Sequence, residues 1–251
     1  MARRTSPVRL DWIDPAACTL DYRLKIIGRL PFFKHLPAAA IQDINALFHD
    51  RGYGAGERIY FEGDEAQHLY LTAMGRVKLV RSTTSGRDVV LDMLHGGEYF
   101  GNLKVLGAST YAETAVSHTD TCILQISSQD FESLLRRHPD LTLKVLSAVG
   151  RRLEESRELV KQLSTYTAEQ RIASALLRLA GKLGEQQEAN VLIQLPFSRA
   201  DLAAMTGATV ETVSRLMSRF ADEGLIRSGR KWVAVANRQG LEDLIHEPAV
   251  N

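Results

Sequence analysis

Residues 198–220 decide the fold and read Ser-Arg-Ala-Asp-Leu-Ala-Ala-Met-Thr-Gly-Ala-Thr-Val-Glu-Thr-Val-Ser-Arg-Leu-Met-Ser-Arg-Phe. Ser198 with Asp201 three residues later resembles a capping box, which predicts a helix that begins at Arg199. Gly207 provides the backbone freedom that a sharp turn between two helices requires. The stretch therefore predicts a helix-turn-helix.

The second helix of this motif is predicted to begin near Thr209 and to be amphipathic. Its apolar side chains recur at helical spacing and are expected to be buried: Val213, Leu216, Met217 and Phe220. The first turns of such a helix reach base edges, where Arg matches guanine and Glu accepts a hydrogen bond from cytosine. The residues expected to contact DNA in this motif are Ser198, Thr209, Glu211, Thr212, Ser214, Arg215 and Arg219. The alternative is an ordinary amphipathic helical hairpin with solvated charges.

Residues 224–235 follow the motif and predict a β-hairpin wing. Its turn carries Arg230 and Lys231, which are expected to contact phosphates. The whole chain has 31 Lys and Arg against 30 Asp and Glu, so its net charge does not indicate nucleic acid. Between Arg199 and Lys231 six basic residues stand against four acidic ones, a modest excess. A DNA-binding surface must therefore be a local patch.

The chain before the motif shows two different patterns of apolar residues. From residue 51 to residue 126, short and partly alternating apolar runs are punctuated by glycines, which predicts an all-β barrel or jelly roll. After Pro139 the apolar period becomes helical. A coiled-coil seam is predicted by spacings of 3 and 4 at Leu146, Val149, Leu153, Ser156, Val160 and Leu163.

This seam is expected to join two copies of the chain, since a two-fold dimer suits palindromic DNA. The alternative is a helix that buries the seam against its own barrel. Ser156 interrupts the apolar series and either faces a ligand or is a tolerated gap. The predicted fold is α+β, with an N-terminal arm (1–22), a jelly-roll sensor domain (23–138), a dimerisation helix (139–167) and a winged helix-turn-helix domain (168–251).

No apolar run approaches the roughly 18 residues of a membrane span, and no apolar segment of a secretory signal follows the basic start. A cytoplasmic protein without a membrane partner is therefore expected. Ser-His-Asp and Cys-His constellations are not evident, and His95 with Glu98 lacks the second histidine of a cupin metal site. Neither an enzyme nor a metal site is expected.

Thr209-Val-Glu-Thr-Val-Ser-Arg-Leu-Met-Ser-Arg-Phe220 resembles the recognition helix of the FNR branch of CRP/FNR transcription regulators. The resemblance runs from about Leu30 to Leu244 and includes Gly97-Glu-Tyr-Phe-Gly101 and Gly150-Arg-Arg-Leu153. It implies a cyclic-nucleotide-binding-like jelly roll and double-stranded DNA as partner. It also implies that Glu211, Ser214 and Arg215 read a TTGA-type half-site within an inverted repeat.

RNA polymerase is a further partner that the resemblance implies, because regulators of this family commonly activate transcription by touching it. Residues 184–190 stand at the position of one such contact surface in the cyclic-AMP receptor, although their composition differs. From its residues alone this segment is expected to be a solvated loop.

The sensor departs from the family pattern of cyclic-nucleotide receptors. Those receptors have a Gly-Glu pair for the ribose and, ten residues after the Glu, an Arg followed by Ser or Thr for the phosphate. Counted from Gly101, this chain has Asn102, Ala112 and Glu113 at those positions, so the cation for a buried phosphate is missing. Cyclic AMP is therefore not expected as effector. The candidate effector pocket comprises Gly101, Asn102, Leu103, Lys104, Ala112, Glu113, Thr114, Ser156 and Arg157.

The sequence does not decide among several sensor chemistries. Cys18 and Cys122 cannot meet the four-ligand requirement of an iron-sulfur cluster, so that cofactor is not expected. Cys122 is expected to be a small core residue, and a redox role for Cys18 stays open. Haem stays open too, although the three histidines of the predicted barrel match no ligand motif: His68, His95 and His118. The same residues are also compatible with a regulator without effector, with an unidentified small ligand, or with a regulatory module of non-DNA function.

Overall fold

The computed structural model describes residues 18–84, 86, 88–102, 107 and 109–246. The chain divides into two compact units, and the boundary lies between Glu155 and Ser156, within a long helix. The first unit contains the strands that were predicted as a jelly roll, and the second contains the helix-turn-helix.

In the described part of the chain, three helices and eight strands form the first unit together with the start of the long helix α4. The helices are α1 (Leu20–Ile27), α2 (Ala38–Asn45), α3 (Ser128–Arg137) and α4 (Pro139–Thr165). The strands are β1 (His49–Tyr53), β2 (Arg58–Tyr60), β3 (His68–Met74), β4 (Val77–Ser82), β5 (Asp88–Leu94), β6 (Tyr99–Gly101), β7 (Thr114–Ser117) and β8 (Thr121–Ser127).

The predicted end of the N-terminal arm at residue 22 falls inside α1 and needs correction. Thr19 caps this helix, because its hydroxyl accepts a hydrogen bond from the Tyr22 amide, and Asp21 lies in the first turn. The arm prediction missed this local start signal. Residues 1–17 of the predicted arm lie outside the described part of the chain.

The strands pair antiparallel into two four-stranded sheets with orders β1-β8-β3-β6 and β2-β7-β4-β5. This is the arrangement of an eight-stranded jelly roll, so the sequence prediction is confirmed. The period of two along β8 divides its side chains between two cores. Cys122, Leu124 and Ile126 pack toward the helices, whereas Ile123 belongs to the core on the other side of the strand.

The second unit contains four helices and four strands after the end of α4. The helices are α5 (Ala168–Leu183), α6 (Arg199–Thr206), α7 (Val210–Asp222) and α8 (Arg238–His246). The strands are β9 (Gly184–Gln187), β10 (Asn190–Ile193), β11 (Ile226–Gly229) and β12 (Trp232–Val235), in the sheet order β11-β12-β10-β9. Residues 184–190 are therefore part of a β-hairpin, and the expectation of a solvated loop was wrong.

Candidate nucleic-acid interface

The turn of the helix-turn-helix is built as the sequence predicts. The Ser198 hydroxyl accepts a hydrogen bond from the Asp201 amide at 3.1 Å, and the Asp201 carboxylate accepts from the Ser198 amide at 2.8 Å. This reciprocal capping box starts α6. Gly207 ends α6 in the left-handed conformation, with φ of 67°, where a Cβ atom would add strain. The Ser198 hydroxyl also donates to Asp201, so its main contacts lie within the cap.

The recognition helix α7 starts at the cap residue Thr209, whose hydroxyl accepts from the Thr212 amide at 3.1 Å. The four apolar side chains that were predicted to be buried are buried: Val213, Leu216, Met217 and Phe220. This burial fixes the rotation of α7 about its axis, because the apolar stripe can face the core in one orientation only.

The opposite face of α7 projects into solvent. Glu211, Ser214 and Arg215 are exposed, as is the cap Thr209, whereas Thr212 is half-buried. The Ser214 hydroxyl donates to the carbonyl of Val210 at 2.8 Å and remains able to accept. Thirteen residues at about 1.5 Å each give α7 a length of about 20 Å, with a diameter that suits the major groove.

Arg219 differs from the other predicted contact residues on α7. Its guanidinium is half-buried and forms an ion pair with Glu169 on α5 and a second, at 3.4 Å, with Glu223. The pair with Glu169 fastens the C-terminal half of α7 to α5. A glutamate distant in sequence thus lies beside the guanidinium, and the contact of Arg219 with DNA stays a prediction.

Two further arginines that the sequence left unassigned stabilise the motif. Arg171 on α5 donates to the carbonyl of Thr206 at 2.8 Å and to that of Tyr166 at 2.9 Å, so it fixes the end of α6. Arg199 donates to the Ser228 hydroxyl on β11 at 3.3 Å, and burial lowers the pKa of its guanidinium. No local sequence pattern marks the contacts with Thr206 and Ser228, since each joins distant segments.

The wing forms as predicted, with β11 and β12 in antiparallel register and residues 230–231 at its tip. Arg230 and Lys231 are exposed, and Lys231 adopts a positive φ of 59° in the tight turn. Arg227 on β11 is also exposed. Arg215 on α7 and these three side chains of the wing are thus exposed basic groups of the second unit.

The seam of α4 is exposed in the single chain. The five apolar members are 44–66% exposed: Leu146, Val149, Leu153, Val160 and Leu163. Leu143, which the sequence analysis did not include, extends the stripe and is 65% exposed. Ser156 is exposed as well.

A different stripe of α4 packs on the jelly roll. Leu141, Val145 and Ala148 are buried in the core between the sheet and the helices, and Arg152 stacks on the Tyr99 ring with its guanidinium carbon 3.9 Å from the centroid. The alternative in which α4 buries the seam against its own barrel was therefore wrong. Among the described residues, no segment covers the seam.

Aromatic rings fill the space between the two sheets of the sensor unit. Tyr60 stacks on Tyr111 at 3.9 Å and on Tyr70 at 5.3 Å, and Phe100 stacks on Tyr70 at 5.3 Å. All four rings are buried. Burial and the neighbouring carboxylate of Glu113 raise the pKa of Tyr60, so its hydroxyl stays protonated. It donates to Glu113 at 2.9 Å.

The residues of the predicted effector pocket take different places. Gly101 has φ of 80°, and a Cβ atom there would lie 2.8 Å from the Tyr70 ring. Glu113 is half-buried beside Tyr60, and Ala112 is exposed. The Thr114 hydroxyl accepts from the Glu62 amide at 3.0 Å. Asn102 is half-buried, Ser156 and Arg157 are exposed on α4, and Leu103 and Lys104 lie outside the described residues.

Among the described residues, no group of three or more His, Cys, Asp or Glu side chains could hold a metal ion. Within the same ranges, every helix is too short or too polar to cross a bilayer.

A winged helix-turn-helix that exposes polar and basic side chains, joined by a long helix to a jelly roll, defines a DNA-binding regulator with a sensor-type domain. Two domain families match the chain: the cyclic nucleotide-binding domain at residues 50–138 and the Crp-like helix-turn-helix domain at residues 170–244.

This chain matches two curated relatives over nearly their whole length. The cyclic AMP receptor protein of Thermus thermophilus is 33% identical over 85% of this chain and 96% of its own. The probable transcriptional regulator flp of Lacticaseibacillus casei is 30% identical over 85% of this chain and 95% of its own. The chain belongs to the CRP/FNR family of transcription regulators.

Solved structures agree in fold. FixK2 of Bradyrhizobium japonicum superposes with a TM-score of 0.72 at 24% identity, over 81% of this chain and 98% of that chain. A transcriptional regulator of the CRP/FNR family from Thermus thermophilus gives a TM-score of 0.65 at 25% identity, over 80% of this chain and all of that chain.

Proposed function

We propose that this regulator acts as a homodimer in the cytoplasm, binds an inverted repeat of TTGA-type half-sites, and does not respond to cyclic AMP. The observation that carries the DNA specificity is the joint projection of Glu211, Ser214 and Arg215 from α7. Arg215 can donate two hydrogen bonds to a guanine, and Glu211 can accept one from the amino group of the paired cytosine. The TTGA half-site has one G·C pair for this purpose.

The exposed basic tip of the wing supports the same proposal. Arg230 and Lys231 can contact phosphates beside the major groove that α7 enters. The capping box of α6, the Thr209 cap and the buried face of α7 leave little freedom to the helix, so the reading side chains are presented on a rigid element.

Dimerisation supplies the partner for the exposed seam of α4. Each fully buried Leu or Val contributes about 1.5–3 kcal/mol, so pairing of two seams is favourable. A two-fold dimer would place its recognition helices about 34 Å apart, one turn of DNA, which matches an inverted repeat. Strand β9 of the β9–β10 hairpin is mostly exposed and is a candidate surface for RNA polymerase in an activating complex.

Mobility shifts at several salt concentrations test the DNA assignment. We expect the protein to bind a TTGAT-N4-ATCAA duplex at least about 10³-fold more tightly than a shuffled duplex of the same composition. The affinity for both should fall steeply with salt, because phosphate contacts release counterions. Equal affinity for the two duplexes at every salt concentration would contradict the proposed site.

The sensor proposal rests on the charge at the phosphate position. A cyclic phosphate would meet the Glu113 carboxylate there, and Ala112 offers it no cation. The stacked rings of Tyr60, Tyr70, Phe100 and Tyr111 already occupy the interior between the sheets. The name of the Thermus relative makes cyclic AMP the natural alternative effector, so a direct test is warranted.

Thermal unfolding with and without cyclic AMP provides that test. We expect no change in the unfolding midpoint at about 1 mM cyclic AMP, whereas a ligand at one hundred times its Kd stabilises by about 2.7 kcal/mol. The Thermus cyclic AMP receptor protein serves as the control for the nucleotide stock. A clear rise of the midpoint at micromolar concentrations would overturn this part of the proposal.

A further inference from the structure

A surface cavity of about 310 Å³ lies between α2 and α3 of the sensor unit. Its apolar lining consists of buried and half-buried side chains: Ala40, Ile44, Leu47 and Leu134. A cavity of this volume is at the lower end of the range for pockets that bind small molecules. None of these residues belongs to the effector pocket that was predicted from the sequence.

Two opposite charges line the same cavity. Asp43 comes from α2 and Arg137 is the last residue of α3, and both side chains are exposed. Although both lie in the described part of the chain, they form no ion pair with each other. The Arg137 Nε donates to the carbonyl of Ser133 on its own helix at 3.4 Å, which leaves both terminal nitrogens as donors. The cavity is therefore open between a carboxylate and a guanidinium.

These charges restrict the kind of molecule that fits. A simple anion would be repelled by the Asp43 carboxylate, and a simple cation would be repelled by the Arg137 guanidinium. A zwitterion avoids both repulsions, because its ammonium group can donate to Asp43 while its carboxylate accepts two parallel hydrogen bonds from Arg137. An aliphatic group on the same molecule would cover the apolar lining and leave water.

We propose that this cavity binds a free α-amino acid with an aliphatic side chain. The ammonium group donates to Asp43, the carboxylate accepts from Arg137, and the side chain packs on Ile44 and Leu134. His138 also lines the cavity, and its imidazole offers a further donor to the carboxylate.

The cavity adjoins the start of α4. The His138 amide donates to the carbonyl of Leu134 at 3.0 Å, and the His138 carbonyl accepts from the amide of Leu141 on α4 at 2.9 Å. Ile44, Leu134 and Leu141 belong to one buried core. A bound amino acid would therefore join α2 to the junction between α3 and α4, the helix that carries the seam.

Isothermal titration calorimetry on the full-length protein tests the proposal, with L-leucine as the probe. We expect a Kd below about 1 mM, which is compatible with the binding free energy per atom of small ligands. Isocaproate lacks the ammonium group of leucine, and isoamylamine lacks its carboxylate. Each analogue should bind at least about tenfold more weakly, because one charged partner is lost. The titration contains no DNA, so its result is independent of the proposed DNA site.

Two variants locate the binding site. Asp43→Asn and Arg137→Gln each remove one charge and should weaken the binding of L-leucine at least about tenfold. Arg136→Gln is the matched control, because Arg136 pairs with Glu132 at 2.7 Å and does not line the cavity. The three replaced side chains are exposed, so the variants should keep the fold, which circular dichroism can verify.

The proposal is overturned if the wild type gives no saturable heat with L-leucine at concentrations up to about 10 mM. It is also overturned if isocaproate or isoamylamine binds as tightly as L-leucine, since the site would then not select a zwitterion. Unchanged affinity for L-leucine in Asp43→Asn or in Arg137→Gln would show that the amino acid binds elsewhere.

Discussion

Replacing Arg215 by alanine is expected to weaken binding to the TTGAT-N4-ATCAA duplex by about 1–3 kcal/mol, with little change on shuffled DNA. The exposed guanidinium on the outer face of α7 is the group that we propose to read the guanine of each half-site. Its removal takes away a base contact and leaves the phosphate contacts of the wing intact. Titrations of both duplexes at one fixed salt concentration measure the difference.

Two matched variants distinguish base reading from simple charge. Arg215→Lys keeps the charge but lacks the planar fork of donors, so we expect it to recover only part of the lost specificity. Arg230→Ala at the tip of the wing should weaken binding to both duplexes by a similar factor. The slope of log affinity against log salt concentration should become shallower by about 1, which corresponds to the loss of one phosphate contact. An equal loss on both duplexes for Arg215→Ala would make Arg215 a phosphate contact.

Replacing Leu153 by aspartate is expected to raise the dimer dissociation constant by about 10³-fold or more. Leu153 lies in the middle of the exposed seam, so pairing would bury two uncompensated carboxylates, which cost several kcal/mol each. The resulting monomers should bind the inverted repeat poorly, because two-fold recognition is lost. Analytical ultracentrifugation and mobility shifts on the same preparation measure both effects.

The control for this variant places the same aspartate outside the seam. Arg151 is exposed on α4, on the face away from the apolar stripe, so Arg151→Asp should leave the dimer intact. Because Leu153 is half-exposed in the single chain, its replacement should not unfold the monomer, which circular dichroism can verify. If Leu153→Asp leaves the dimer unchanged, the proposal that the seam joins two copies of the chain is refuted.

Local patterns made much of this fold predictable. The capping box at Ser198, the left-handed Gly207 and the buried stripe of α7 involve neighbours within a few residues, so their signals are readable from sequence. Helix α4 ends at Thr165 and α5 begins at Ala168, close to residue 167, where the dimerisation helix was expected to end. The alternation of the strands likewise indicated the jelly roll.

Contacts between distant segments were not predictable in this way. The ion pair of Arg219 with Glu169 and the hydrogen bond from Arg199 to Ser228 depend on the tertiary fold. The hairpin of β9 and β10 was missed because its Glu, Gln and Asn residues have low strand propensity, and pairing of β10 with β12 overrides this preference. The position of the recognition helix was therefore predictable from sequence, but the long-range contacts that hold it in place were not.

A double-mutant cycle between protein and DNA tests whether Arg215 reads the guanine of each half-site. The guanine of each half-site is replaced by 7-deazaguanine, which lacks the N7 acceptor, and binding is measured for the wild type and for Arg215→Ala. We expect wild-type affinity to fall clearly on the modified duplex, whereas the variant should bind the modified and the normal duplex alike. Equal losses for both proteins would show that Arg215 does not read this guanine.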